Sequence, residues 1–190
     1  MSNFFAMISR MKYINRWGLM NNTKNENISE HSLEVAILAH ALVSIANTRL
    51  NCSLDADRAA VIGLFHDASE IITGDMPTPV KYYNPAINNA YKEVEKVAEN
   101  KLIDMLPDSL RELYRPLISD TDPALAPYVK AADKLSALIK CIEEVRMGNN
   151  EFLKAKASIE AAIDEMDLPA LKIFREEYLP AYYLTLDELG

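Results

Sequence analysis

Residues 58–75 read RAAVIGLFHDASEIITGD, an apolar helical pattern interrupted by His66, Asp67, Glu70 and Asp75. An α-helix places residues three and four positions apart on the same face. The imidazole of His66 and the carboxylates of Asp67 and Glu70 are therefore expected to converge. Such a face is typical of a metal site with a base beside it.

The local sequence predicts both ends of this helix. Ser53 and Asp55 are good N-terminal caps, so the helix is expected to begin beside one of them. Gly74 is expected to end it, because glycine favours the position after a helix and the prolines at 77 and 79 forbid its continuation. Asp75 is then held at a fixed corner.

The His66-Asp67 pair is weak evidence by itself. A chain with three histidines can contain this dipeptide by chance, and a core histidine beside a solvent-facing aspartate is the simpler interpretation. Two other segments favour a site. Ser29 is expected to cap a second helix, which puts His31 in its first turn. Asp133 lies in a strongly helical segment among small and apolar residues, where a buried carboxylate needs a partner.

The candidate metal ligands are His31, His66, Asp67 and Asp133. Two neutral imidazoles and two carboxylates suit a borderline divalent ion such as cobalt, manganese, nickel, zinc or iron. A six-coordinate ion in this set would keep open positions, where chemistry takes place. His40 lies nine residues beyond His31 and half a turn out of phase, so both cannot bind one ion. Two usable imidazoles favour one ion over a binuclear centre.

The order of these residues resembles the H…HD…D signature of HD-domain phosphohydrolases. Further segments are similar to the bacterial YfbR-type 5′-deoxynucleotidases, and the likeness extends over nearly the whole chain. These segments are INRW at 14–17, ENISEHSL at 26–33, HDASE at 66–70, TGDMPTPVKY at 73–82 and GNNEF at 148–152. No departure from the family pattern occurs at any of these positions.

The resemblance implies a helical bundle of the HD-domain type that uses one divalent metal ion, cobalt, manganese or similar. The activity it implies is that of a 5′-deoxynucleotidase, which hydrolyses deoxyribonucleoside 5′-monophosphates to deoxynucleoside and inorganic phosphate. The similar enzymes prefer deoxyribose and tolerate several bases. They are also dimers, so a homodimer is expected here.

The resemblance also implies roles for individual residues. Glu70 is expected to act as the catalytic base on an attacking water, and Arg16 is expected to orient the substrate phosphate. Trp17 is expected to line the sugar pocket, although without the resemblance Arg16-Trp17 suggests a core Trp beside an exposed Arg. Asp75 either protonates the leaving 5′-oxygen or hydrogen-bonds the sugar. The full set of expected substrate contacts is Arg16, Trp17, His31, His66, Asp75, Met76, Pro77, Thr78 and Asp133.

Three alternatives stay open. A deoxynucleoside triphosphohydrolase of the same superfamily would need more cations around its three phosphates than these segments offer. A non-catalytic nucleotide-binding HD module would be expected to lack Glu70 or Asp75, and both are present. A purely structural bundle with buried His-Asp pairs would bind no metal.

Composition fits an enzyme that acts on a small substrate. A net charge of −8 argues against a nucleic acid polymer as partner, because such binding usually requires clustered Lys and Arg. Cys52 and Cys141 are expected to be free thiols. The longest nearly apolar run, Val35 to Ala46, looks too short to span a membrane, and the N-terminus lacks a secretory pattern. A cytoplasmic location is therefore expected.

Apolar periodicity predicts an all-α bundle that forms a single domain over residues 1–190. No repeat or linker divides it, and 49% apolar residues can build a sizeable core. The charged runs at 92–96, 143–144 and 175–177 have the spacing of solvated helix faces. Helices are predicted over about 2–13, 29–48, 54–73, 84–105, 108–117, 124–147, 150–165 and 168–178.

Overall fold

The computed structural model describes residues 2–81, 83–119 and 122–190, and its fold is all-α, as predicted. In these ranges β-pairing is limited to an isolated antiparallel bridge between Asn15 and Asn27. The α-helices are α1 (Phe4–Ile8), α2 (Ile28–Arg49), α3 (Ala56–Phe65), α4 (Glu70–Thr73), α5 (Thr78–Lys81), α6 (Pro85–Asp104), α7 (Asp108–Ile118), α8 (Ala126–Arg146), α9 (Leu153–Asp164) and α10 (Pro169–Glu177). Short 3-10 helices cover Ser9–Tyr13, Asn150–Phe152, Leu179–Tyr183 and Leu186–Glu188.

The main core is built by α2, α3 and α8, and α10 covers it. Helices α2 and α3 approach closely at Gly63 of α3, where an added Cβ would lie 2.9 Å from the Cα of Ala36 on α2. Only glycine leaves room for this contact, so α2 and α3 are held together at this point. His31 lies on α2, Asp133 lies on α8 and His66 directly follows α3. The packing of the core therefore brings together the elements that carry the candidate ligands.

A smaller apolar cluster supports the segment after α3. It includes Phe4 of α1, Leu102 of α6 and Ile118 of α7, together with the fully buried Ala68. Ala68 belongs to the turn that follows His66. Burial of its methyl group anchors that turn between the two apolar cores, which limits how far the adjacent polar side chains can move.

Helix α2 is a longer apolar helix than the run Val35–Ala46, which looked too short to span a membrane. With 22 residues and a mean hydropathy of 1.3 over its most apolar window, Ile28–Arg49 is long and apolar enough to cross a membrane by length and composition. The run Val35–Ala46 covers only part of this helix, because polar residues at helical spacing interrupt the apolar sequence. More than half of that window, 56%, is buried inside the fold. Packing in the core therefore accounts for its apolar character.

The helix predicted over 54–73 is interrupted at His66. Helix α3 ends at Phe65 and α4 begins at Glu70, with a turn between them. Nδ1 of His66 donates a 2.7 Å hydrogen bond to the carbonyl of Gly63, the acceptor that a continuing helix would offer to the backbone N–H of Asp67. The prediction of one continuous helical face was therefore wrong. The turn, and not helical spacing, brings residues 66, 67 and 70 together.

The predicted helix ends are largely correct. Asp55 caps α3 by accepting a 2.9 Å hydrogen bond from the backbone N–H of Arg58, and Gly74, with φ of 74°, ends α4. Helix α2 begins after Asn27 and not at Ser29, because the Asn27 side chain accepts the orphan N–H groups of the first turn in a capping box. His31 still lies in the first turn of α2, as predicted.

Candidate active site

The four candidate ligands lie together at the junction of α2, α8 and the turn after α3, and we name them the His-Asp cluster. Nε2 of His31 lies 3.2 Å from Oδ1 of Asp133 and 3.5 Å from Oδ2 of Asp67. Nε2 of His66 lies 3.1 Å from the same Asp67 oxygen. Ligand atoms of His31, His66 and Asp133 all lie within 4.8 Å of one another, a spacing that one ion can bridge.

Hydrogen bonds determine which ring nitrogen of each histidine faces the cluster. Nδ1 of His66 donates to the Gly63 carbonyl at 2.7 Å, and Nδ1 of His31 lies 2.9 Å from Oγ of Ser136. In the described part of the chain both Nε2 atoms are buried without a hydrogen-bond partner. The nearby carboxylate oxygens are within ion-pair distance, but their geometry is not that of a hydrogen bond. Buried lone pairs that face carboxylates require a cation or a proton between them.

The charges of the cluster attract positive charge. Burial opposes a charged imidazole at His66, but Asp67 and Asp133 raise its pKa to about 9. Burial also opposes the charge on Asp67, yet His66 lowers the pKa of that carboxyl to about 2. The pKa of Asp133 is lowered too, because its interactions with His31 and His66 outweigh burial. Burial and the charge of Arg16 lower the pKa of His31, so this imidazole stays neutral.

Arg16 and Trp17 are held near the cluster by one carboxylate. Oε2 of Glu26 accepts hydrogen bonds from Nη1 of Arg16 at 2.6 Å and from Nε1 of Trp17 at 3.0 Å. Trp17 has φ of 60°, uncommon for a residue with a side chain, and its ring packs against Phe152 at 5.3 Å. Burial opposes the charge of Arg16, while Glu26 and Asp133 raise its pKa. The Arg16 side chain is 12% exposed, so the simpler interpretation of an exposed Arg was wrong.

Two further carboxyl groups border the cluster. Glu70 is buried, and in the described part of the chain its Oε2 has no hydrogen-bond partner. Burial, together with the charges of Asp67 and Asp75, raises the pKa of Glu70 to about 9. Burial also raises the pKa of Asp75, against the opposing effects of Arg16 and a hydrogen bond from the backbone of Trp17. Both groups therefore share the electrostatic environment of the cluster.

The remaining predicted substrate contacts follow Asp75 along the chain. Met76 and Pro77 are partly buried in the loop between α4 and α5. Thr78 begins α5, but its side chain lies outside the described part of the structure, as does Tyr82. The structure places Asp75 in the electrostatic environment of the cluster and leaves the predicted roles of Met76, Pro77 and Thr78 as expectations.

A cleft of about 790 Å³ opens onto the cluster. His66 and Asp133 form part of its lining, together with apolar side chains near the start of α8 and with Met166 and Leu168. Lys130, Glu165 and Asp167 add charged groups to the lining. Its volume is in the range of small-molecule sites. Arg16 and Trp17 are not part of this lining among the described residues.

Comparisons with known proteins identify the family. A family model described as 5′-deoxynucleotidase YfbR-like matches residues 3–182. The chain belongs to the YfbR-like family. A curated relative from Escherichia coli, named 5′-deoxynucleotidase YfbR, is 48% identical over 194 residues, which cover 100% of this chain and 96% of the relative. The resemblance inferred from the segments at 14–17, 26–33, 66–70, 73–82 and 148–152 is therefore confirmed.

Solved structures share the fold of this YfbR-like chain. An HD-domain phosphohydrolase from Listeria innocua superposes with a TM-score of 0.83 at 24% identity, over 95% of this chain and 88% of that one. The cyanophage S-2L HD phosphohydrolase DatZ, solved with dA and one catalytic Zn²⁺ ion, gives a TM-score of 0.67 at 19% identity, over 95% and 96%. The predicted HD-domain fold is confirmed by these likenesses.

The YfbR-like chain contains a second buried polar cluster, which we name the loop clasp. Nζ of Lys140 on α8 donates to Oε1 of Glu144 and to the carbonyl of Lys24, both at 2.5 Å. Glu144 also accepts from the backbone N–H of Thr23 at 2.9 Å and from Nδ2 of Asn149 at 2.8 Å. The prediction of a solvated face at 143–144 was wrong for Glu144. This residue is fully buried, because the loop over residues 20–28 folds over it.

Sequence reasoning also missed the face of α8 that unites these features. Asp133, Ser136, Lys140 and Glu144 are spaced by three, four and four residues, so they lie along one side of the helix. The signal was present as a line of polar residues at helical spacing, in a helix that also carries Lys130, Lys134, Glu143 and Arg146. Glu26 was missed as well, because nothing in its local sequence indicates that it binds two side chains ten and nine residues upstream.

The other histidine and the cysteines lie outside the cluster, as predicted. His40 is exposed, and its Nε2 lies 3.4 Å from Oδ1 of Asp57. Cys52 is exposed, Cys141 is buried, and both are free thiols.

Proposed function

We propose that the protein is a metal-dependent 5′-deoxynucleotidase that hydrolyses deoxyribonucleoside 5′-monophosphates to deoxynucleoside and inorganic phosphate. The observation that carries the proposal is the pair of buried, unpartnered Nε2 atoms of His31 and His66, which face ionised carboxylates. The family supports the substrate, because the 48% identical relative is named a 5′-deoxynucleotidase. The DatZ structure, with dA and a catalytic Zn²⁺, is consistent with the same chemistry.

One divalent ion, cobalt, manganese or similar, would be held by His31, His66, Asp67 and Asp133. This donor set fits, because the Nε2 atoms of two imidazoles and the carboxylates of Asp67 and Asp133 lie close together, and an ion bound there would replace the proton that the raised pKa of His66 keeps on its ring in the metal-free protein. When bound, such an ion polarises the phosphate and makes a water more acidic. His31, His66 and Asp133 also border the place that the phosphate would occupy.

Glu70 is the proposed catalytic base. It lies at the start of α4 with one carboxylate oxygen unpartnered in the described residues, so it can accept a proton from a water beside the cluster. Its pKa of about 9 reflects burial among other carboxylates. With a divalent ion held by the cluster, the pKa of the Glu70 carboxyl would fall toward the range that suits a base at neutral pH.

Arg16 orients the phosphate in this proposal, and Trp17 limits the space beside the sugar. Arg carries five N–H donors, so the hydrogen bond from Nη1 to Glu26 leaves other donors for phosphate oxygens. The Trp17 ring is held by Glu26 on one side and by Phe152 on the other. A ring fixed in this way can exclude a 2′-hydroxyl by its position, which would select deoxyribose.

Asp75 either protonates the leaving 5′-oxygen or hydrogen-bonds the sugar, with Met76, Pro77 and Thr78 completing the sugar pocket. The raised pKa of Asp75, caused first by burial, is compatible with a proton donor. Measurements on the variant Asp75→Asn distinguish these two roles. Loss of turnover on dAMP with retained turnover on p-nitrophenyl phosphate, whose leaving group needs no proton, identifies the donor. Loss of discrimination between dAMP and AMP identifies the sugar contact.

The molecular context belongs to the same proposal. Residues 1–190 form one catalytic domain, the enzyme is a homodimer, and it works in the cytoplasm on soluble nucleotides. The single apolar network of α2, α3, α8 and α10 supports one domain. Leu33 and Ile37, exposed on one face of α2, support a subunit contact. Two free thiols suit a reducing compartment. Light scattering after gel filtration tests the dimer.

Phosphate release tests the function directly. Metal-stripped protein is supplied with cobalt, manganese, zinc or magnesium and assayed on dAMP, AMP and dATP. We expect metal-dependent release from dAMP, little from AMP and none from dATP. Glu70→Gln removes the base and is expected to lower turnover by about 10²- to 10⁴-fold, while the exposed Glu112→Gln control retains it.

Each other outcome contradicts a defined part of the proposal. Release from dATP would assign the protein to the triphosphohydrolases. Bound metal without release from any nucleotide would favour a non-catalytic nucleotide-binding module. A protein that binds no metal would be a structural bundle with buried His-Asp pairs.

A further inference from the structure

A chain of three polar groups extends from His31 away from the cluster. Nδ1 of His31 lies 2.9 Å from Oγ of Ser136 on α8, and this Oγ lies 2.6 Å from Oε2 of Glu34 on α2. His31 and Ser136 are completely buried, and Glu34 is partly buried. Helix α2 therefore supplies both ends of the chain and α8 supplies its middle.

The chemistry of the three groups sets the direction of their hydrogen bonds. An ionised carboxylate can only accept, so the single hydroxyl proton of Ser136 is donated to Glu34. The lone pair of Ser136 then accepts from His31, which must carry its proton on Nδ1. The Nε2 atom is left as a lone pair, and this is the atom that lies 3.2 Å from Asp133. The opposite tautomer would place a proton where an ion must bind.

We infer that Glu34 and Ser136 are positioning residues that fix His31 in the Nδ1–H tautomer and thereby prepare its Nε2 to bind the divalent ion. The inference rests on the proposed function only for the identity of His31 as a ligand. Neither residue touches the proposed substrate. Their effect passes through the orientation and protonation of one imidazole, which is how groups behind metal ligands act in proteins.

The other histidine shows why this support is needed. His66 is fixed by the carbonyl of Gly63, a backbone acceptor within its own turn. The first turn of α2 offers His31 no such carbonyl, because the backbone carbonyls there are used by the helix. For His31, side chains from α2 and α8 therefore provide the hydrogen-bond support that the Gly63 carbonyl provides for His66. A polar cavity of about 190 Å³ borders Glu34. Burial raises the pKa of the Glu34 carboxyl, and the hydrogen bond that Ser136 donates to it opposes this rise.

The decisive variant is Ser136→Ala, which removes one oxygen from the buried chain and leaves Nδ1 of His31 without an acceptor. We expect cobalt affinity, measured by calorimetry on metal-stripped protein, to fall about 10- to 100-fold. Glu34→Ala is expected to weaken binding, and Glu34→Gln is expected to restore part of it because its amide oxygen can still accept from Ser136. Ser44→Ala is the matched control, because Ser44 lies 3.5 Å from Nδ1 of the exposed His40.

A second measurement does not depend on metal or on activity. Long-range ¹H–¹⁵N spectra of the metal-free protein report which nitrogen of each imidazole carries the proton. We expect Nδ1–H for His31 in wild type and a mixture of tautomers in Ser136→Ala. Circular dichroism of each variant shows whether it folds, and Glu34→Gln serves as the probe if Ser136→Ala does not.

Several results would overturn the inference. Wild-type affinity in both Ser136→Ala and Glu34→Ala would do so, and so would an Nε2–H tautomer at His31 in wild type. An equal loss of affinity in Ser44→Ala would show that the assay reports general damage. Failure of nucleotide hydrolysis with intact metal binding and the expected tautomer would instead contradict the proposed function alone.

Discussion

The His-Asp cluster and the loop clasp are two buried polar clusters on the same face of α8, and they differ in how completely their atoms are satisfied. In the loop clasp, Lys140 and Glu144 bond to each other, and the remaining positions are filled by the 20–28 loop and Asn149. In the His-Asp cluster, the Nε2 atoms of His31 and His66 have no hydrogen-bond partner among the described residues. Burial alone therefore does not separate a structural cluster from a functional one. The difference between these two clusters is that two imidazole nitrogens of the His-Asp cluster face carboxylates without a hydrogen-bond partner.

The two clusters also depend on each other through the loop. Residues 23 and 24 are bonded by the clasp, and Glu26, two residues later, holds Arg16 and Trp17. Asn149 adds a 2.7 Å hydrogen bond to the carbonyl of Asn21. The loop clasp thus fixes the backbone of the 20–28 loop. Glu26 in that loop holds Arg16 and Trp17, the proposed substrate contacts, near the His-Asp cluster.

The largest effect is expected from breaking the clasp. Lys140→Met leaves Glu144 charged and buried without its ammonium partner, so the free energy of unfolding should fall by about 3 to 5 kcal/mol. Urea unfolding followed by circular dichroism measures the change. Lys156→Met, which breaks the surface pair with Glu160, is the control and should lose less than about 1 kcal/mol. Equal losses in the two variants would show that the clasp is not a structural centre.

Metal should stabilise the protein through the unsatisfied cluster only. A divalent ion at 100 times its Kd stabilises the native state by about 2.7 kcal/mol, so the melting temperature of metal-stripped protein should rise when cobalt is added. Asp133→Asn should remove most of this rise. Asp57→Asn, beside His40 and outside the cluster, should keep it. An undiminished rise in Asp133→Asn would place the bound ion elsewhere.

Comparison of wild type with Glu144→Gln should isolate the part of the pH dependence of stability that Glu144 contributes. Burial opposes its charge, but hydrogen bonds from Lys140, Asn149 and Thr23 lower its pKa from 4.5 to about 2. A lowered folded-state pKa means stability that is fully present above about pH 4.5 and is lost as the pH falls through about 2. Glu144→Gln should therefore be less stable than wild type by about 2 kcal/mol at pH 7. The difference should shrink in acid, and a constant difference down to pH 2 would contradict the assignment.

The smallest effect on stability is expected at Glu70, although its effect on turnover is large. Its pKa of about 9 keeps the carboxyl neutral at pH 7 in metal-free protein, so an amide of the same shape replaces an uncharged group. Glu70→Gln should change the free energy of unfolding by less than about 1 kcal/mol in chelator. Asp67→Asn removes a charge paired with His66 and should cost more. The reverse order would mean that Glu70 is ionised.

Much of the fold followed from local rules. The caps at Asp55 and Gly74 and the helices over α2, α6, α7 and α8 depend on neighbouring residues, which a sequence displays directly. The break at His66 did not follow, because it depends on a side chain that takes the carbonyl of Gly63. The short helix α5 was also not predicted, since its four residues carry too little periodicity.

By itself, the sequence determined the fold class, the family and the residues that could bind a metal, because motif order and helical periodicity are properties of neighbouring positions. Only the tertiary structure decided how these residues are used. It showed that Glu144 is buried, that Glu26 holds Arg16 and Trp17, and that Glu34 reaches His31 through Ser136. Those relations join residues 9 to 121 positions apart, and such contacts arise only when the chain folds back on itself, within the loop before α2 or between packed helices.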